Sequence, residues 1–180
     1  MNNLNVKEFY KIVAFMAIVL IFISSCKKDE PATPKVDPTA PNYVGTWIAI
    51  EPITADIQMK DIITLTETSF TDLGQIGLSA NLWVDYISMK GSISVNGKLM
   101  TVTITDLGLT SFNSLNIPTG VITSYKTGSA GFEDLITQSG QPKTFNSEYS
   151  VSGNQLTLKT DLNADGDYLD ESETTVYTKQ

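Results

Sequence analysis

Apolar and polar residues alternate along much of the chain after residue 43. The clearest case is 98–106, where Met100, Val102 and Ile104 point one way and Thr101, Thr103 and Thr105 the other. A period of two predicts a half-buried antiparallel strand. Asn96-Gly97 precedes it, a pair that tolerates positive φ at both turn positions, so a hairpin is expected with Ile93 and Val95 on the partner strand. A second hairpin is written around Ser152-Gly153-Asn154, joining 148–151 to 156–159. Further strands are expected at 44–50, 61–66, 69–73, 82–89 and 174–179, about eight or nine in all. One short helix is expected at 131–137, where Phe132, Leu135 and Ile136 share a face. The stretch 107–130 is rich in Ser, Thr, Asn and Gly with no clean period and reads as loop.

The amino terminus has the opposite pattern. Residues 12–23 (IVAFMAIVLIFI) are apolar without a break and follow Lys7 and Lys11. That length suits a signal-peptide core and falls short of the roughly 18 residues of a membrane-spanning helix. Ser24, Ser25 and Cys26 close the run. Ile23-Ser24-Ser25-Cys26 resembles the lipobox of bacterial lipoproteins, with isoleucine where leucine is commoner. The resemblance implies a leader of residues 1–25 that is cut off, and a Cys26 carrying a diacylglyceryl group and an acylated amine, which together give stable anchoring. An uncleaved anchor, or a plain leader followed by an incidental cysteine, is the competing account. Lys27-Lys28-Asp29-Glu30 is similar to the acidic export signal of Bacteroidetes-type lipoproteins. It implies the outer membrane and its outer face, with the periplasmic face as the alternative. Residues 26–42 hold Pro31, Pro34, Pro38 and Pro41. Such a linker favours extended conformations and reaches some tens of ångströms at about 3.1 Å per residue.

Residues 43–180 are then one domain. Many antiparallel strands at similar spacing predict an all-β fold, either an up-and-down β-barrel or a β-sandwich. Gly45-Thr46-Trp47 resembles the Gly-x-Trp motif that opens lipocalin-like barrels, and it falls at the start of the domain as that family has it. The resemblance favours the barrel and gives Trp47 a structural role, closing one barrel end. Lipocalins lay an arginine from the last strand across this tryptophan. The chain has no arginine, leaving Lys179 or Lys159 as stand-ins without the flat guanidinium surface.

Composition narrows the chemistry. The chain has 12 basic residues, all lysine, against 20 acidic ones, and no histidine. Loss of 1–25 leaves 10 basic and 19 acidic residues, a net charge of −9. So acidic a protein has no footprint for nucleic acid. Without histidine there is no imidazole base and no usual zinc or haem ligand set. Without arginine there is no bidentate clamp for phosphate. The single cysteine, if lipidated, forms no disulfide. Carboxylate pairs are the catalytic chemistry that remains. Glu51, Asp56, Asp61, Glu67, Asp72 and Asp85 are scattered among the strands, and nothing in their spacing sets two across a cleft. The expectation is a protein that is not an enzyme.

The densest polar stretch lies near the end. Asp161, Asn163, Asp165 and Gly166 match the start of the Ca²⁺-loop pattern D-x-[DN]-x-[DN]-G, and Asp167, Asp170 and Glu171 add oxygens. Oxygens at alternate positions converge on one hard cation, and glycine permits the turn that wraps it. The position that usually supplies a bidentate glutamate is Ser172, and both flanks read as strands. Two readings stand: a Ca²⁺-stapled hairpin loop, or a solvated acidic turn. On the first, millimolar Ca²⁺ raises the melting temperature and Asp165→Ala abolishes the rise.

The functional expectation is a lipid-anchored, monomeric envelope protein whose barrel accepts a small, mostly apolar ligand. Val102, Ile104, Leu156 and Leu158 supply inward faces. A surface protein that binds glycan or a partner protein through its loops is the alternative, with Trp83, Tyr86 and Tyr125 as stacking aromatics. A structural envelope lipoprotein without ligand is the third.

Overall fold

The computed structural model describes residues 41–54, 57–79, 82–114, 117–140, 142–161 and 173–180. The leader, Cys26 and nearly all of the linker lie outside these residues. The elements are β1 (Gly45–Pro52), β2 (Gln58–Leu65), β3 (Ser69–Ser79), β4 (Leu82–Asn96), β5 (Leu99–Phe112), β6 (Pro118–Lys126), α1 (Ala130–Ser139), β7 (Thr144–Ser152), β8 (Gln155–Thr160) and β9 (Thr174–Lys179). The fold is all-β and antiparallel, as the alternation predicts.

Hydrogen bonds run in a ring. Each of β1 to β5 pairs with the next, β5 pairs with β7, and β7, β8 and β9 follow in order. The ring closes where β9 meets β1, through Trp47↔Lys179 and Ile48↔Thr178. Two residue pairs make this closure, and the remaining lengths of β1 and β9 are held by β2 and β8 on their other sides. The hairpin glycines sit at positive φ as the turns require, Gly97 at 63° and Gly153 at 58°.

Two expectations need correction. Strands expected at 82–89 and around 93–95 are one strand, β4. The stretch 107–130 is not loop: β5 continues to Phe112, and β6 pairs back on it from Asp106↔Lys126 to Phe112↔Pro118. Its Ser and Thr side chains satisfy one another across that pair, with Ser111 Oγ and Thr119 Oγ1 at 2.6 Å. Such a strand buries little on its outer face, so it carries no apolar period.

The edge of β5 is thus shared. Leu99–Thr103 pairs with β7, and the remainder with β6. Helix α1 connects the two strands that share this edge. Ser129 caps it, its Oγ accepting from the Phe132 N–H at 3.3 Å. Phe132 is fully buried, and Leu135 and Ile136 lie against the same core.

That core fills the ring near the hairpin turns. Trp47, Leu65, Met100, Ile104 and Leu156 have almost no exposed surface, and Phe70, Ile93 and Val102 are buried beside them. The inward faces proposed for Val102, Ile104, Leu156 and Leu158 therefore stand as packed interior.

Candidate functional site

Inward positions near the hairpin turns are mostly apolar or aromatic. Trp47 is wholly buried and its Nε1 donates to the Tyr43 carbonyl at 2.8 Å. Lys179 reaches back from β9 and sets its Nζ 5.1 Å from the Trp47 ring centroid. The same Nζ donates to the Val44 carbonyl at 3.4 Å. Tyr43 meets Tyr149 edge-on, with centroids 5.2 Å apart. This end is closed by packing.

Inward positions change character toward the other end. In β1 the buried set Trp47 and Ala49 is followed, in phase, by Glu51. In β2 Leu65 and Ile63 lead to Asp61, and in β3 Phe70 leads to Asp72. Strand register relates the three. Ala49 is opposite Asp61 and Trp47 opposite Ile63; Ile63 is opposite Asp72 and Asp61 opposite Gly74. Glu51 is therefore the diagonal neighbour of Asp61, and Asp61 of Asp72, within reach of side chains on one face. The carboxylates form a diagonal stripe across β1, β2 and β3. Asp61 lies between two small residues, Ala49 and Gly74. Continuing the β1–β9 register sets the buried Tyr177 beside Ala49.

The electrostatics agree with this placement. Burial first, then the neighbouring Asp61, raises the Glu51 carboxyl to about 7. Burial raises Asp61 to about 6. Asp72 is held well above the usual carboxylate range, by burial and then by Asp61. The Tyr177 hydroxyl is also pushed up, chiefly by burial and then by Asp61, Asp72 and Glu51, so all four groups face one space. Asp72 Oδ1 is enclosed and has no hydrogen-bond partner. No lysine among the described residues pairs with any of the three: Lys60 stands over Trp83, 4.5 Å from the ring centroid, and Lys179 is committed to Trp47. Glu173, directly before β9, is buried as well.

Sequence reasoning named Glu51, Asp61 and Asp72 but took them for scattered surface charges. The signal was their phase: each falls at even spacing from a buried apolar residue of its own strand. Asp85 does lie elsewhere, accepting from Gln75 Nε2 at 2.7 Å. Glu67 belongs to the turn between β2 and β3, and Asp56 is outside the described residues.

The three candidate stacking aromatics are not assembled into one platform. Trp83 lies under Lys60 and against Gly77. Tyr86 is buried and meets Phe112 edge-on. Tyr125 covers Gly131 at the start of α1. Of the calcium candidates, Asn163, Asp165, Asp167, Asp170 and Glu171 lie outside the described residues. Asp161 directly follows β8, its N–H donating to the Asn146 carbonyl at 3.3 Å. Among the described residues no group of three His, Cys, Asp or Glu side chains is placed to hold a metal ion, and no helix is long and apolar enough to cross a membrane.

No family model, curated protein or solved structure matches this chain.

Proposed function

We propose that the chain is a lipid-anchored binding protein of the bacterial cell envelope. Cys26 carries the acyl chains, residues 27–42 hold the domain off the membrane, and the ring of strands is a lipocalin-like up-and-down barrel. Its closed end is structural. Its other end holds a small molecule with a largely apolar body. The Gly45-Thr46-Trp47 motif, with Lys179 set over the tryptophan where lipocalins use arginine, supports the family resemblance.

The observation that carries the binding reading is the inward carboxylate stripe. Three acids turned into an otherwise apolar interior destabilise the fold, since each carboxyl loses hydration without gaining a partner. Groups of perturbed ionisation facing a common space are characteristic of binding and catalytic sites. The absence of histidine and arginine leaves binding as the better supported use.

Native mass spectrometry of the full chain purified from its host tests the reading. A small non-covalent mass retained by the folded protein is expected, and the covalent mass should place acyl chains on an amino-terminal Cys26. A protein that emerges ligand-free, and whose melting is unmoved by an extract of host lipids and metabolites, is not a carrier. A mature terminus other than acylated Cys26 removes the anchor.

A further inference from the structure

We propose that Glu51, Asp61 and Asp72, with Tyr177 beside them, form the head-group site of the ring, and that the ligand is an organic cation: a protonated amine on an apolar body. This rests on the binding reading above and names its ligand class.

Geometry and chemistry narrow the choice together. Asp72 Oδ1 is enclosed and unpartnered, so the fold leaves an acceptor facing inward with nothing to accept from. A neutral apolar ligand would leave it so. An anion would meet three carboxyls and no lysine. A bare metal ion needs several oxygens converging at short range, whereas the stripe spaces its carboxyls along a diagonal and no three described side chains converge. An ammonium group supplies both the charge and the N–H donors that these carboxyls lack. The neighbours suit the rest of such a molecule. Ile87 packs over Gly74 beside Asp61, and Met59, Ile76 and Met89 line adjoining inward positions.

A consequence separates this site from a structural one. The carboxyls sit high enough to hold protons in mildly acid water, so the ammonium must displace protons as it binds. The titratable groups facing the site are Glu51 on β1, Asp61 on β2, Asp72 on β3 and Tyr177 on β9. Among the described residues the inward positions of β4, β5 and β7 carry no carboxylate and no lysine. Lys60 and Asp85 lie on the outer face, and Glu133 is paired with Lys143 at the surface at 2.6 Å. As pH rises through about 6 and about 7, Asp61 and Glu51 lose their protons and the site loads. At acid pH protons compete and the cation leaves.

The test titrates the full chain with octylamine, octanol and octanoate, three probes that share a tail and differ in head group. Calorimetry at about pH 8 and about pH 5, in buffers of different ionisation heat, reads affinity and proton release together. Octylamine is expected to bind about tenfold or more tighter than octanol at the higher pH, to weaken by about tenfold at the lower, and to release protons. Octanoate should not bind. Asp72→Asn is expected to bring octylamine down to the octanol level while octanol is unchanged. Glu51→Gln, at the rim of the stripe, serves if Asp72→Asn does not fold, and should weaken octylamine alone. Octylamine binding no tighter than octanol, or insensitive to pH, overturns the inference and leaves the carrier reading standing. Binding of neither probe overturns both.

Discussion

Asp72 keeps its Oδ1 enclosed and without a hydrogen-bond partner, and the cost to the fold should be measurable. Leaving such a group unsatisfied costs on the order of 1–3 kcal/mol. Burial and Asp61 hold this carboxyl well above the usual range, so its charged form works against the fold. Asp72→Asn is therefore expected to stabilise the free protein increasingly as pH rises, and thermal unfolding across a pH series measures it. Trp47 makes the opposite case. It fills the closed end, and Trp47→Ala should cost about 3–5 kcal/mol. Lys179→Ala should cost much less, about 0.5–1 kcal/mol for a cation over an indole face at a partly wet site. Lys179→Arg should recover that loss, because a planar guanidinium stacks where an ammonium only hovers. Chemical denaturation of the three variants tests the ranking.

Among the elements, β4 and β5 carry the most strain-sensitive feature. Their register shifts between Lys90 and Gly91, so that Asp106 and Ile104 are their successive partners. At this bulge the strands approach so closely that a Cβ on Gly91 would fall on the Thr103 carbonyl and 2.8 Å from Phe70 Cε1. Backbone cannot yield as a flexible side chain does. Gly91→Ala is expected to destabilise by about 2–4 kcal/mol, whereas Gly97→Ala, in a turn open to solvent, should cost only about 1 kcal/mol for its positive φ. Urea unfolding of the pair distinguishes a packing constraint from a turn preference. The bulge was not legible in the sequence: Gly91 reads there as a break between two strands, and only the partner's carbonyl shows why no side chain fits. The exchange of partners along β5 was hidden similarly, because β6 pairs through hydroxyls rather than an apolar face.

For the whole ring, the shared acidic interior sets an unusual pH dependence. Glu51, Asp61 and Asp72 all have folded-state values raised above those of the unfolded chain. The folded protein thus binds more protons, and stability falls as pH rises. The stabilisation is complete below about pH 4, where both states are protonated, and is lost through about 6 for Asp61 and about 7 for Glu51. Glu133 is shifted down by its hydrogen bond and ion pair with Lys143 and opposes this, but it is fully exposed and screened. Unfolding should therefore show a melting temperature that declines between about pH 5 and pH 8, and the triple variant Glu51→Gln, Asp61→Asn, Asp72→Asn should flatten the decline. A melting temperature rising across that interval would mean the carboxyls are not buried together.

The sequence by itself did not show β6 or the continuity of β4. It determined the all-β class, most strands, the hairpin turns and the short helix, because alternation, turn chemistry and a helical period are legible within a few residues. It also carried the inward phase of Glu51, Asp61 and Asp72, since parity along a strand is local. Tertiary structure alone decided that these phases meet. Two acids on neighbouring strands face one another only once register is set, and register depends on turns and bulges acting on both strands at once. Ring closure between β1 and β9, the setting of Lys179 over Trp47, and the choice of β7 and β6 as successive partners of β5 have the same origin. They are contacts between residues far apart in the chain, selected by how the whole sheet can curl and bury its apolar face.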